Sequence, residues 1–206
     1  MYALTESNYM CQIDPINLNV VKTIDVAKQI PTASTNTAHP HLDKNGWIMC
    51  GINSRRGRLC YEFLRYPQSD IQPVVNGPGS ICANALTVGR IPSKHFTKLS
   101  YFHSFGITDT YLIFLEQSLL LDLTRFFIGL FTNKTFADAL VMMPNLNTRI
   151  HLIERRTGKR LKRKFHTCPL FLFHHINAYE ITINKEDEEE EENQETEIDE
   201  KTKVNG

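Results

Sequence analysis

Eight histidines in a chain of 206 residues are the side chains best placed to do chemistry near neutral pH. Five of them fall into three groups with unusual company. His39 and His41 lie in Thr37-Ala38-His39-Pro40-His41, His103 in Tyr101-Phe102-His103-Ser104-Phe105-Gly106, and His174 and His175 in Phe173-His174-His175-Ile176-Asn177. One histidine beside aromatic residues is more often a core side chain bonded to backbone than a ligand, but three such groups weaken that reading. Separations of 64 residues from His39 to His103 and 71 from His103 to His174 exclude a local chelate on one helix. They suit a metal held on an axis by one imidazole from each successive structural unit, and spacing alone leaves core and ligand roles both open. Five cysteines form no CxxC pair, and an odd number does not suit a closed disulfide framework, so a reducing compartment is expected.

The elements that must position these histidines read as strands. Apolar runs are short and rich in β-branched and aromatic residues, and turn signals punctuate them. The clearest turns are Asp14-Pro15, Asp43-Lys44-Asn45-Gly46, Arg55-Arg56-Gly57, Asn76-Gly77-Pro78-Gly79 and Arg156-Thr157-Gly158-Lys159. Strands are predicted at Trp47–Ile52, Leu59–Tyr66, Tyr111–Glu116 and Arg149–Glu154, the last turning back through Thr157-Gly158 into Arg160-Leu161-Lys162 as a hairpin. Helix is plausible only around Asp122–Leu130 and Lys134–Leu140. The chain is therefore expected to be all-β, with repeated strand-turn units that fit a sandwich or a few propeller blades.

Charge divides the chain. Lys+Arg and Asp+Glu both number 23, yet residues 181–206 carry 11 acids and 3 lysines, leaving a net excess of positive charge on the rest. Residues 184–206 hold too little apolar surface to offset chain entropy and are expected to form a disordered acidic tail, apart from a body at 1–183. Residues 155–164 carry seven positive charges in ten positions. A solvated hairpin tip accounts for them better than nucleic-acid binding, because no zinc-finger spacing, aromatic RNA-binding pattern or helix-turn-helix accompanies the run. The longest apolar stretch, Leu119–Phe131, is short and interrupted by Asp122 and Arg125, so it does not span a bilayer. Residues 1–20 contain no basic segment followed by an apolar one, so no secretory signal is visible.

Several motifs, in order and with similar gaps, resemble the carotenoid cleavage oxygenase family, which includes animal β-carotene oxygenases and the isomerohydrolase of the retinal pigment epithelium. They are Tyr2-Ala3-Leu4-Thr5-Glu6, Thr37-Ala38-His39-Pro40-His41, Tyr101-Phe102-His103-Ser104-Phe105-Gly106-Ile107-Thr108, Tyr111-Leu112-Ile113-Phe114-Leu115-Glu116 and Phe173-His174-His175-Ile176-Asn177-Ala178-Tyr179-Glu180. The resemblance implies a partial seven-bladed β-propeller of about three blades, with a short helical insertion. It implies a non-haem iron(II) on the axis with His39, His103 and His174 as ligands, His175 and His41 being the alternatives. Glu6 matches a family glutamate that hydrogen-bonds a ligand histidine, fixing its tautomer and orientation. Phe102 and Phe105 are candidate walls of an apolar substrate tunnel. Phe126, Phe127, Ile128, Leu130 and Phe131 match an apolar segment at the tunnel mouth, suited either to interfacial insertion or to an ordinary buried helix.

The implied reaction is oxidative cleavage of a carotenoid or apocarotenoid double bond by dioxygen, giving aldehyde or ketone products. The alternatives are an inactive polyene- or retinoid-binding form, or retinoid isomerohydrolysis on the same iron scaffold. Family members are much longer than this chain, and the fourth histidine and two further supporting glutamates of the family pattern have no match here. A fragment or truncated form is therefore expected. The resemblance places it in the cytoplasm with peripheral membrane contact, some relatives being mitochondrial, and no nucleic-acid partner is expected.

Overall fold

The computed structural model describes residues 1–30, 35–67 and 84–182. The expected Asn76–Gly79 turn and the acidic tail lie outside the described residues. Fourteen strands among the described residues form four antiparallel sheets. The first joins β1 (Tyr2–Leu4), β2 (Tyr9–Ile13) and β3 (Val20–Asp25). The second runs β4 (His41–Asp43), β5 (Gly46–Arg55), β6 (Arg58–Pro67) and β7 (Leu86–Pro92) in sequence order. Strands β8 (Lys98–Ser100), β11 (Leu119–Asp122) and β12 (Leu140–Met142) make the third. The fourth contains β9 (Gly106–Ile107), β10 (Tyr111–Glu116), β13 (Thr148–Glu154) and β14 (Phe165–Thr167). Only Gln117 and Ser118 separate β10 from β11, so one ribbon passes from the fourth sheet into the third.

Local chemistry explains these boundaries. Arg56 and Gly57 both have positive φ, 49° and 73°, the conformation a two-residue hairpin needs to match strand twist. It sets β5 against β6 in unbroken register from Gly46↔Pro67 to Arg55↔Arg58. At Gly158, φ is 68°, and its N–H bonds the Glu154 carbonyl to close the turn after β13. The return arm expected at 160–162 makes only the bridge Ile153↔Arg160, and β14 supplies the remaining pairing to β13.

The two helical expectations resolve into α2 (Leu123–Gly129) and a 3-10 turn at Phe136–Ala139. Asp122 caps α2 by accepting from the N–H groups of Thr124 and Arg125 at 3.0 and 3.2 Å. A one-turn helix, α1 (Val26–Gln29), was not signalled by apolar periodicity, since Asp25 caps it and four residues show no period.

The second sheet is buried on both faces, which is why β5 and β6 read as nearly continuous apolar runs rather than alternating ones. One face meets Met10, Ile24 and Val26 of the first sheet region. The other packs Tyr61 and Phe63 against Phe102, Phe105, Leu112 and Phe114. Tyr61 and Phe114 lie 4.6 Å apart between ring centroids, and Phe63 meets Phe105 edge-on at 5.2 Å. Phe102 and Phe105, 8% and 1% exposed, are thus core side chains, although Phe102 also borders a cavity beside Glu6.

Candidate metal centre

The three histidines stand on loops that hydrogen bonds tie together. Thr37 Oγ1 donates to the His103 carbonyl at 2.6 Å and accepts from the His39 N–H at 3.1 Å, so one hydroxyl locks two histidine loops. That loop can lie on β5 only because Gly51 has no side chain: a Cβ there would overlap the Thr35 carbonyl oxygen. The Thr37 N–H then reaches the Cys50 carbonyl at 2.7 Å. Ser104 Oγ donates to the Phe173 carbonyl at 2.7 Å, tying the His103 loop to the segment that carries His174.

Residues 168–182 contain no strand, so side chains do the work of a ladder. Gln117, 2% exposed, accepts from the Leu172 N–H at 2.6 Å and donates to the Leu172 carbonyl at 3.0 Å. Farther along, the Glu180 carboxylate accepts from the Thr110 N–H at 2.9 Å and the Thr110 hydroxyl at 2.7 Å. These bonds hold the Glu180 carboxyl below the ordinary carboxylate value, the Thr108 hydroxyl first among them and then Thr110.

His39, His103 and His174 converge, with one ring nitrogen of each within 4.8 Å of the others. Nε2 of His39 is 2.7 Å from Nε2 of His103, and the His174 ring meets both nearly perpendicularly at 4.7 and 4.8 Å. Glu6 bonds Nδ1 of His103 from behind. A carboxylate only accepts, so the proton sits on Nδ1 and the Nε2 lone pair faces the cluster. Tyr101 braces Glu6 by donating to both carboxylate oxygens at 3.1 and 3.0 Å, and burial followed by that bond pushes its pKa up to about 12. Burial, then the neighbouring His103 and His174, holds His39 below 6.5 despite Glu6, so it is neutral at pH 7. Three imidazole nitrogens brought to one point suit a borderline divalent cation.

The two alternative histidines have other partners. His41 bonds the Phe105 carbonyl through Nε2 at 2.7 Å. His175 bonds Ser104 Oγ through Nδ1 at 3.1 Å, and its Nε2 is buried without a partner.

Aromatic rings lead away from the cluster. His103 meets Phe173 edge-on at 5.3 Å, Phe173 meets Phe171 at 4.7 Å, and Phe171 meets Tyr101 at 5.8 Å. Tyr101 meets Phe136 at 6.1 Å, and Phe136 meets Phe126 of α2 at the same distance. Beyond Phe126 the apolar side chains stand in solvent: Phe127 and Ile128 are each 57% exposed, Leu130 64% and Phe131 89%. Among the described residues no helix is long and apolar enough to cross a membrane. Phe171 and Phe136 carry no signal in sequence, because their roles arise from contacts between distant segments.

The model of the retinal pigment epithelial membrane protein family matches residues 1–196. The chain belongs to the carotenoid cleavage oxygenase family. It is 34% identical over 181 residues to chicken (Gallus gallus) β,β-carotene 15,15'-dioxygenase, covering 87% of this chain and 34% of that protein. Against the human mitochondrial carotenoid-cleaving dioxygenase it is 34% identical over 182 residues, covering 87% and 30%. A crystal structure of cobalt-substituted Synechocystis ACO shares the fold with a TM-score of 0.62 at 21% identity, covering 87% of this chain and 35% of that one. The Glu150Gln mutant of Synechocystis apocarotenoid oxygenase (ACO) matches with a TM-score of 0.61. The family member described here thus spans about a third of the length of the curated relatives it matches, and its sheets are those of a partial propeller.

Proposed function

We propose that the protein to which this sequence belongs is a non-haem iron(II) oxygenase that cleaves a conjugated double bond of a carotenoid or apocarotenoid with dioxygen. The convergence of His39, His103 and His174, with Glu6 fixing one tautomer, carries this reading. Bound ferrous iron would supply the capacity to activate dioxygen beside a polyene.

The chain's own residues would do the rest. His39, His103 and His174 would present three neutral nitrogens. Glu6, braced by Tyr101, holds the Nδ1 proton of His103 and keeps its ring oriented. The rings of Phe173, Phe171, Tyr101 and Phe136 offer an apolar surface leading from the cluster, along which a polyene could lie. The exposed Phe127, Ile128, Leu130 and Phe131 would rest in the interfacial layer of a membrane that stores so apolar a substrate. The protein would accordingly work in the cytoplasm at a membrane surface.

Incubating the intact protein with β-carotene or an apocarotenal under air and under nitrogen tests this reading. Aldehyde products that need both air and iron are expected. Retinoid isomerisation that proceeds equally without dioxygen, or spectral shifts of the bound polyene without any product, would overturn it.

A further inference from the structure

The run Arg155–Lys164 is not used by the site above; it carries seven cations and follows β13, to which it returns through the bridge Ile153↔Arg160. Its first residue, Arg155, lines a hollow together with Ala178, Tyr179 and Glu180. Its later residues, Arg160 to Lys164, line a cavity of about 410 Å³ with Lys94, His95, Arg149 and His166. The carboxylate in that cavity, Glu116, is 6% exposed and already paired with Arg149 and His151. Arg155 and Arg156 are paired as well, with Asp43 and Glu154, which leaves Lys159, Arg160, Lys162, Arg163, Lys164 and Lys94 without a carboxylate partner among the described residues.

The described chain ends at the same place. Glu180 is fixed to Thr110, and the Arg155 N–H bonds the Thr110 carbonyl at 2.8 Å, so the last described residues leave beside the start of the basic run. Four residues after Thr182 the sequence becomes Glu186-Asp187-Glu188-Glu189-Glu190-Glu191-Glu192. Four residues span at most about 14 Å, and the seven acids extend the reach by roughly 25 Å more. These carboxylates complement the unpaired cations of the basin in sign and lie within reach of them.

We propose that residues 186–192 dock in cis on the basic basin formed by Lys159, Arg160, Lys162, Arg163, Lys164 and Lys94. Tethering by so short a connection gives the tail a local concentration in the millimolar range, enough to outcompete a free anion of similar charge. Each exposed ion pair contributes little, so the contact depends on the sum and weakens as salt screens it.

Zero-length carbodiimide cross-linking of the 206-residue chain, read by mass spectrometry, tests the placement. Links from Lys159, Lys162 and Lys164 to residues 186–192 within monomeric chains are expected, falling at least about fivefold in roughly 0.5 M salt. Links spread evenly to Lys22, Lys44, Lys98 and Lys134, or found only between two chains, would overturn it. A second test uses a fluorescent poly-glutamate peptide and a variant with Glu186→Gln, Asp187→Asn and Glu188→Gln through Glu192→Gln. That variant should bind the peptide at least about tenfold more tightly than the unchanged chain at low salt. Equal binding by both would contradict the proposal, as would tight binding of a DNA oligonucleotide by the unchanged chain.

Discussion

At the scale of single residues, what matters is how protons are distributed in the histidine cluster. Glu6 occupies the Nδ1 side of His103 and thereby decides which nitrogen is free. Glu6→Gln should weaken iron binding by about tenfold, and Glu6→Ala by up to about 100-fold, as measured by competition with a chelator. Unchanged affinity in both would show that Glu6 does not orient the ring. The sequence motifs carried His39, His103, His174 and Glu6, because each is flanked by residues of a distinctive local pattern. Between the adjoining His174 and His175 the motif favoured His174 and kept His175 as the alternative. Ser104 and Phe105, which engage His175 and His41, separate the pairs only through contacts across 71 and 64 residues.

Among the elements, the strands were legible because alternation, β-branching and turn residues act over a few positions. Tyr111–Glu116 was read to the residue. The segment after β14 was not legible in this way, since it is held by side chains rather than by a ladder. Gln117 is its main clasp. Gln117→Leu leaves the Leu172 N–H and carbonyl without their partner and should cost about 1–3 kcal/mol of local stability. Faster hydrogen exchange at residues 170–174 with β5 and β6 unchanged is the expected signature, and unchanged exchange would dismiss the clasp.

Helix α2 makes a separate point: its pattern fitted either a buried or an interfacial helix, Phe127, Ile128, Leu130 and Phe131 are exposed among the described residues, and the proposed membrane contact rests on that exposure. Changing Phe127→Asp and Phe131→Asp should largely abolish flotation with liposomes while leaving the circular dichroism spectrum intact. Undiminished flotation would place membrane contact elsewhere.

For the whole molecule, two apolar cores join the sheets, and a buried polar network spans the fourth. Burial raises the pKa of Glu116, but the hydrogen bond from His151 and the charge of Arg149 outweigh it and hold the carboxyl below 4.5. A carboxyl with a depressed folded-state value lends stability that is fully present above its unfolded value near 4.5. That stability is lost as pH falls through the folded value. The wild-type chain should therefore lose thermal stability below about pH 4.5, and Glu116→Gln, less stable at pH 7, should show a flatter dependence there. Parallel curves for the two would contradict this role. The aromatic path from His103 to α2 is a property of this scale too. It joins residues from 103, 136 and 173, and no local pattern could have announced it.

The most direct test of the metal centre is the iron content of the intact protein, purified without oxygen, beside its His103→Ala and His175→Ala variants. One iron per chain is expected for the unchanged protein and for His175→Ala, with almost none retained by His103→Ala. Full iron in His103→Ala, or its loss only in His175→Ala, would contradict a centre built on His39, His103 and His174.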